Sequence, residues 1–242
     1  MADKTTVSVI LPALNEEANM ESTLTRCVEA FDKYFSECEF IVVDDGSADA
    51  TSEVVEKLIE RDPRIKLLRH EKNLGYGAAL RTGFTASRMG CVFFTDSDGQ
   101  FDPDEISIML PYIEDYEIVA GYRMNRQDNV YRRFMGWTFS RSVDIFFGTR
   151  MRDIDCAFKF LDGDKLRGLT LTSFGPLINA EILYHARKRK WSVKQIGVHH
   201  FPRVAGRQTG GDLPVVIKAV FQYWRLFYRL HIEKIGQGIS KT

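Results

Sequence analysis

Short apolar segments alternate with amphipathic segments through roughly the first 120 residues of this chain. The apolar runs predict buried strands at Thr6–Leu11, Glu39–Val43, Ile65–Leu68 and Cys91–Thr95. Helical spacing of apolar residues predicts helices at Glu16–Phe35, Asp49–Arg61, Ala78–Arg88 and Asp102–Ile113. Asn15 is expected to be the N-cap of the first of these helices. Buried strands separated by amphipathic helices are typical of α/β proteins, so we predict a Rossmann-like, mostly parallel sheet with helices on both faces.

The second half of the chain is less regular. Apolar runs predict strands at Glu117–Tyr122, Ala157–Leu161 and Ser192–Val198. Further helices are predicted at Arg132–Phe147, Ile178–Arg189 and Leu213–Ile235. No internal repeat or linker is evident, so we predict one domain over residues 1–212 and a C-terminal helix and tail over residues 213–242.

Charge is unevenly distributed, although 33 Lys and Arg balance 33 Asp and Glu over the whole chain. From Arg187 to Thr242 there are 12 basic and two acidic residues, a net charge of +10, which leaves −10 upstream. Such a basic segment is either a solvated surface or a binding site for an anion, whether nucleic acid, lipid headgroup or phosphate ligand.

Cysteine usage and hydropathy indicate a cytosolic setting. The four cysteines form no CxxC pair and have no histidine at zinc-ligand spacing, so we expect reduced thiols. The sequence lacks a charged-then-apolar leader, and it has no uncharged apolar stretch of about 18 residues. We therefore expect no transmembrane helix.

Polar clusters follow three of the predicted strands. They are LPALNEE (Leu11–Glu17), VVDDGSADAT (Val42–Thr51) and FTDSDGQFDP (Phe94–Pro103). Each cluster alone is also compatible with a turn or a helix N-cap. In an open parallel sheet, however, ligands bind outside the carboxyl ends of the strands, which is where all three clusters fall.

The Asp96-Ser97-Asp98 sequence is the strongest chemical signal. Residues i and i+2 of an extended chain point to the same side, so two carboxylates can face one hard cation that also binds phosphate oxygens. A calcium-binding EF-hand loop is excluded, because Phe101 and Ser107 stand where that loop requires Gly and Glu.

Two other phosphate-binding motifs are absent from the sequence. Leu80 replaces the third glycine of GxGxxG after Gly75 and Gly77, and no GxxxxGK[ST] occurs. Dinucleotide redox chemistry and P-loop hydrolysis are thus disfavoured. A metal held by Asp-x-Asp instead suits a nucleoside diphosphate that departs as a leaving group.

The chain resembles the family 2 glycosyltransferases of the GT-A fold, and within them the dolichyl- or polyprenyl-phosphate mannosyl- and glucosyltransferases. The resemblance spans roughly Val7 to Arg229 and rests on the three clusters above together with three further motifs. These are NLGYGAALRTGF (Asn73–Phe84), RDIDCAFK (Arg152–Lys159) and HHFPRVAGRQTGG (His199–Gly211).

The resemblance implies roles for individual residues. It implies nucleotide-sugar contacts from Pro12, Leu14, Glu16, Asp44, Asp45, Gly75, Arg81 and Ser97. It implies Mg²⁺ or Mn²⁺ as cofactor, bound by Asp96, Asp98 and Gln100. It places an acidic residue beside the acceptor, for which Asp155 is favoured over Asp153. Tyr76 departs from the family pattern, which often has Lys at this position.

Arginines are the candidates for binding an acceptor phosphate, since their guanidinium groups bind phosphate through two parallel hydrogen bonds. The candidates are Arg123, Arg132, Arg133, Arg203 and Arg207. Solvated loop charge is the alternative for each. His199 and His200 could supply a metal ligand or could simply pack at a strand end. A lipid phosphate is already largely an oxyanion at neutral pH, so Asp155 would then orient groups instead of accepting a proton.

The predicted helix Leu213–Ile235 is amphipathic, with Val216, Val220, Tyr223, Phe227 and Leu230 on one face. Lys218, Arg225 and Arg229 supply positive charge, so the helix could lie in a membrane interface. It could equally pack on its own domain or on a second copy in a homodimer.

We therefore expect an inverting, metal-dependent transferase that moves a hexose from a UDP- or GDP-sugar to a polyprenyl-type lipid phosphate. It would act at the cytoplasmic face of a membrane, bound peripherally through the C-terminal helix, and would not bind nucleic acid. The alternatives are transfer to a saccharide hydroxyl in surface-polysaccharide synthesis, or a non-catalytic sugar-nucleotide-binding adaptor.

Overall fold

The computed structural model describes residues 4–124, 138, 141–145, 147–203, 205 and 213–230. Within these ranges, seven strands form one sheet in the order β3-β2-β1-β4-β6-β5-β7. They are β1 (Thr6–Ala13), β2 (Glu37–Asp44), β3 (Ile65–Arg69), β4 (Cys91–Phe94), β5 (Ile118–Met124), β6 (Lys159–Asp162) and β7 (Val193–His199). β1 pairs in parallel with β2 and β4, β2 with β3, and β5 with β7. Only β6 runs antiparallel to its neighbours, β4 and β5. The predicted α/β, mostly parallel fold is confirmed.

Most predicted helices within the described residues differ from the observed ones mainly at their ends; the helix at Gly163–Arg167 was not predicted, and the one predicted at Arg132–Phe147 lies mostly outside those residues. The observed helices are α1 (Glu17–Phe31), α2 (Thr51–Arg61), α3 (Tyr76–Ala86), α4 (Leu110–Ile113), α5 (Gly163–Arg167), α6 (Ile178–Lys188) and α7 (Leu213–Tyr228). The single helix predicted at Asp102–Ile113 is instead a 3₁₀ helix, Pro103–Ile108, followed by α4. Pro111 has no N–H to donate to the carbonyl four residues earlier, which interrupts α-helical pairing there.

Helices cover both faces of the sheet. Phe93 of β4 contacts Phe31 of α1, with ring centroids 5.0 Å apart, and the next residue, Phe94, contacts Phe84 of α3 at 5.7 Å. Successive strand residues point to opposite faces, so α1 and α3 lie on opposite sides of β4. Gly83 allows α3 to approach β1 closely, since a Cβ at this position would lie only 2.5 Å from the Ile10 side chain.

The C-terminal helix α7 packs on the rest of the chain. Tyr223 Oη donates to the carbonyl of Ser142 at 3.0 Å, and Tyr184 Oη of α6 donates to the carbonyl of Leu230 at 3.0 Å. Arg229, predicted to face a headgroup layer, lies 3.1 Å from the buried carboxylate of Glu181. No helix within the described residues is long and apolar enough to cross a membrane. The domain boundary at residue 212 stays a prediction.

Candidate active site

Hydrogen bonds connect the polar clusters that follow β2 and β4 to the end of β1. The Asp45 N–H donates to the Ala13 carbonyl at 2.8 Å, and the Ser97 hydroxyl donates to the Pro12 carbonyl at 2.8 Å. Parallel strands end at the same edge of a sheet, so these contacts bring the predicted donor-binding residues together.

Asn15 shapes the turn after β1 and is not the N-cap of α1. It has a positive φ of 56°, a conformation that Asn tolerates better than most residues. Its N–H donates to Ser47 Oγ at 2.9 Å, and its Oδ1 accepts from the Ala48 N–H at 2.9 Å. The turn therefore fixes the β1 loop to the β2 loop and leaves Leu14 37% exposed.

Asp44 and Asp45 hold the loops around the site. Asp44 is fully buried, and its carboxylate accepts from the Ser47 N–H at 2.8 Å and from the Ser52 hydroxyl. Asp45 accepts from the N–H groups of Leu74 at 2.9 Å and Gly75 at 2.7 Å. Their direct contact with a nucleoside stays a prediction.

His70 was not identified from the sequence, although it belongs to this network. Its Nδ1 lies 2.7 Å from Asp45 Oδ1, and its Nε2 lies 2.9 Å from Thr82 Oγ1. An open concavity of about 400 Å³ lies beside it, lined by Gly46, Ser47, Arg69, His70 and Glu71. This volume is within the range of small-molecule sites.

The start of α3 packs against residue 174, another position that sequence reasoning missed. Gly75 has a φ of 104°, and a Cβ there would lie 2.4 Å from the Phe174 carbonyl oxygen. That oxygen accepts from the Gly77 N–H at 2.9 Å. Arg81 lies over the Phe174 ring at 4.9 Å, and its Nη1 is buried with no hydrogen-bond partner in the described part of the chain. An anionic ligand could satisfy this donor.

Asp96 and Asp98 form an electrostatically strained pair. Burial, followed by the charge of Asp98, raises the pKa of Asp96 to about 7. Burial also raises the pKa of Asp98. Burial and the neighbouring Asp96 raise the pKa of Tyr76 well above its usual value. A divalent cation would relieve the repulsion between the two carboxylates, so their chemistry fits the predicted metal.

The rest of the predicted metal set is less directly supported. Gln100 is buried, and its Nε2 donates to the Phe201 carbonyl at 2.8 Å. His199 Nδ1 lies 2.5 Å from Glu105 Oε1, and the ring of His200 packs edge-on against Phe101. No group of three His, Cys, Asp or Glu residues that could hold a metal occurs within the described ranges. Mg²⁺ is commonly held by one or two carboxylates together with substrate phosphates, so two aspartates are sufficient.

Arg203, predicted to bind the acceptor phosphate, lies beside Glu16 and Asp98, which are predicted to bind the nucleotide sugar and the metal. It forms an ion pair with Glu16, and its Nη1 is 3.8 Å from Asp98 Oδ2. Its Nε donates to the Ala205 carbonyl at 2.6 Å, and Asn19 Nδ2 donates to the same oxygen at 3.2 Å. The cation therefore offsets negative charge beside Asp98, while its contact with an acceptor phosphate stays a prediction.

Arg123 and Asp153 form a two-point ion pair. Arg123 Nε lies 2.7 Å from Asp153 Oδ2, and Nη2 lies 2.8 Å from Oδ1. The Arg123 N–H also donates to Oδ2 at 3.2 Å. Both oxygens of Asp153 are thus engaged by Arg123, and the acceptor-side role of Asp155 stays a prediction. Arg132, Arg133 and Arg207 lie outside the described residues.

Lys159 ends the RDIDCAFK motif, although no role was predicted for it, and it is a buried cation beneath the site. Only 2% of the residue is exposed, and its Nζ donates to the carbonyls of Ile154, at 3.1 Å, and Cys156. The ammonium also lies 5.4 Å from the centre of the Phe94 ring. Lys159 thereby fixes the loop that carries Asp155 to the end of β4.

Comparison with curated proteins finds similarity to enzymes that act on polyprenyl phosphates. Over 156 residues, the chain is 31% identical to undecaprenyl-phosphate 4-deoxy-4-formamido-L-arabinose transferase from Aeromonas hydrophila, covering 63% of this chain and 48% of the relative. It is 29% identical over 157 residues to dodecaprenyl-phosphate galacturonate synthase from Rhizobium johnstonii, covering 63% and 46%. The chain spans about half the length of these curated relatives.

Comparison with solved structures confirms the GT-A-type fold. Glucosyl-3-phosphoglycerate synthase from Mycobacterium tuberculosis in complex with UDP superimposes with a TM-score of 0.69 at 19% identity, covering 90% of this chain and 78% of the other. The same enzyme with Mg²⁺ and UDP gives a TM-score of 0.68 at 20% identity, covering 90% and 79%.

The family is established by a sequence model. The model for glycosyl transferase family 2 matches residues 8–167, a span that includes the clusters after β1, β2 and β4 and the segment around Asp155. This chain belongs to glycosyl transferase family 2.

Proposed function

We propose that this chain is the catalytic part of an inverting glycosyltransferase that moves a hexose from a nucleoside-diphosphate sugar to a polyprenyl-type lipid phosphate. The observation that carries the proposal is the pair of partly buried carboxylates, Asp96 and Asp98, at the edge where β1, β2 and β4 end. The names of the polyprenyl-phosphate relatives support the acceptor class.

The donor half of the site has complementary features for each part of the donor. Asp96 and Asp98 would hold Mg²⁺ or Mn²⁺, which neutralises charge on a departing diphosphate when bound. The buried Nη1 of Arg81 is suited to a phosphate oxygen, and the concavity beside Arg69 and His70 has room for a base or ribose. The glucosyl-3-phosphoglycerate synthase structures with UDP and Mg²⁺ or Mn²⁺ support this pairing of nucleotide and metal.

With a phosphate acceptor, Asp155 does not have to act as a general base. A phosphate monoester has a second pKa of about 6 and is largely dianionic at neutral pH, so it needs no general base. Asp155 then orients the acceptor side through the loop that Lys159 holds. Attack opposite the departing diphosphate would invert the anomeric carbon.

The exposed face of α7 carries large aromatic side chains that suit contact with a membrane. Phe221 is 70% exposed, Trp224 54% and Tyr228 54%, and Arg225 is also exposed. Aromatic and basic side chains on one exposed helix face suit the headgroup layer of a bilayer. We therefore propose peripheral attachment to the membrane that contains the lipid acceptor.

Substitution of Asp98 tests the metal and donor assignment. Asp98→Asn should lower metal-dependent transfer by about 100-fold or more, because changes outside the ligand shell already cost 10- to 100-fold. Asp104→Asn is the matched control, since Asp104 is an exposed partner of Lys33 on the 3₁₀ helix. Equal transfer by the two variants would refute the assignment.

Vesicle flotation tests the membrane surface. The double variant Phe221→Ser/Trp224→Ser should float less with anionic vesicles than the wild type, because it removes apolar area from the proposed contact. Tyr34→Ser is the control, since Tyr34 is 47% exposed and lies after α1, outside the proposed contact surface. Unchanged flotation of the double variant would exclude this face.

A further inference from the structure

Glu181 is a buried carboxylate outside the predicted site. It lies on α6 and is 1% exposed. It accepts hydrogen bonds from the Thr172 N–H at 3.0 Å, the Thr172 hydroxyl at 2.8 Å and the Ser173 N–H at 2.8 Å. Arg229, just beyond α7, lies 3.1 Å away and supplies the opposite charge. Burying a charge is costly unless hydrogen bonds and a counter-ion compensate, and here three of the bonds hold one loop.

That loop, residues 172–175, packs against the start of α3. The Phe174 carbonyl accepts from the N–H groups of Gly77 at 2.9 Å and Ala78 at 3.3 Å. A Cβ on Gly77 would lie 2.6 Å from the Gly175 carbonyl oxygen and 2.8 Å from that of Ser173. The two segments touch so closely that a shift of the loop must displace the start of α3.

The loop also positions Arg81. The guanidinium carbon lies 4.9 Å from the centre of the Phe174 ring, and the stacking fixes where the buried Nη1 points. On its other side the loop meets α7, since a Cβ on Gly175 would lie 2.3 Å from Gln222 Oε1. The loop is therefore held between the C-terminal helix and the proposed donor site.

We propose that Glu181 is a positioning residue for donor binding, which ties α7 through loop 172–175 to the start of α3 and to Arg81. The inference rests on the proposed function for the identity of the donor site. It gives α7 a role in the site beyond any contact with a bilayer. Gln222 of α7 lies against the loop, and Arg229, just beyond the helix, pairs with the carboxylate that binds the loop.

Glu181→Gln is the most direct test of this proposal. Gln keeps the shape of the side chain but replaces one acceptor oxygen with an NH₂ group, which would face the donors of Thr172 and Ser173. Isothermal titration calorimetry with UDP, and separately with GDP, in the presence of Mn²⁺ measures the Kd of nucleotide binding without any acceptor. For the nucleotide that binds the wild type, we expect Glu181→Gln to raise Kd at least about fivefold, the usual lower range of coupling between sites.

Matched variants separate positioning from general destabilisation. Arg225→Met removes an exposed charge from α7 and should leave Kd unchanged, whereas Arg229→Met should raise it. Thr172→Val removes only the hydroxyl bond and serves as the milder variant if Glu181→Gln does not fold. In an Arg81→Met background the effect of Glu181→Gln should shrink, because both changes act through the same contact.

The outcomes are distinguishable. Failure of both nucleotides to bind the wild type would overturn the proposed function and this inference with it. Binding to the wild type with an unchanged Kd in folded Glu181→Gln, or fully additive effects with Arg81→Met, would overturn the inference alone.

Discussion

The ion pair between Arg123 and Asp153 leads to a quantitative stability prediction. Their side chains are 15% and 10% exposed, and two charge-assisted hydrogen bonds of 2.7 and 2.8 Å join them. Asp153→Asn would leave the guanidinium mostly buried without its counter-ion. Breaking a buried pair costs about 3–5 kcal/mol, and the residual exposure places this one at the lower end, about 3 kcal/mol.

The expected loss is large enough to measure by thermal unfolding. In a protein of this length 1 kcal/mol shifts Tm by about 2–4 °C, so Asp153→Asn should lower Tm by about 6–12 °C. Asp164→Asn is the matched control, because Asp164 pairs with Arg167 at the surface and is 64% exposed. Exposed pairs contribute at most about 1 kcal/mol, so the control should change little.

A double variant identifies the cause of the loss. Replacing both partners by apolar residues, in Arg123→Met/Asp153→Leu, removes the stranded charge and should recover much of the stability. Equal Tm values for Asp153→Asn and Asp164→Asn would refute the reasoning. So would a double variant that is less stable than Asp153→Asn.

Three other predictions concern the site. Burial and Asp98 raise the pKa of Asp96 from 3.8 to about 7, so the folded, metal-free protein binds this proton more tightly than the unfolded chain does. The free energy of unfolding should therefore fall as pH rises through that range. Urea unfolding with EDTA at pH 5 and pH 8 measures this fall, which should be smaller in Asp96→Asn. Gly77→Ala should weaken nucleotide binding in titrations, because its Cβ would collide with the Gly175 carbonyl. Asp155→Asn should lower transfer to a phosphate acceptor by less than roughly 100-fold, the least that loss of a general base costs, and a larger loss would contradict its orienting role.

The parallel half of the sheet was predictable because its strands are continuous apolar runs in chain order. The position of β6 was not. Sequence order would place β5 beside β4, but Lys159–Asp162 lies between them and pairs antiparallel with both. This strand has only four residues, and its partners are distant in sequence, so no local sequence pattern predicts which strands it pairs with.

The candidate site shows the same limit. The clusters around Asp44 and Asp96 could be found because they directly follow apolar strands. His70, Phe174 and Lys159 could not, since their relevance depends on contacts between remote segments. Lys159 resembles an ordinary charged residue in sequence, yet it is buried where the carbonyls of Ile154 and Cys156 accept hydrogen bonds from its ammonium group.

The N-cap expected at Asn15 was wrong for a related reason. Asn serves both at N-caps and at positions of positive φ, and here the side chain bonds to the Ala48 N–H of a neighbouring loop. Local sequence does not distinguish these uses, because the deciding partner comes from another strand.

Transfer of labelled sugar is the most direct test of the central claim. The chain would be incubated with UDP- and GDP-sugars, Mn²⁺ or Mg²⁺, and either a short polyprenyl phosphate or the matching polyprenol in vesicles. We predict metal-dependent formation of labelled lipid from one donor with the phosphate and little or none with the alcohol. Absence of transfer from every donor to the phosphate, or equal transfer to the polyprenol, would contradict the account.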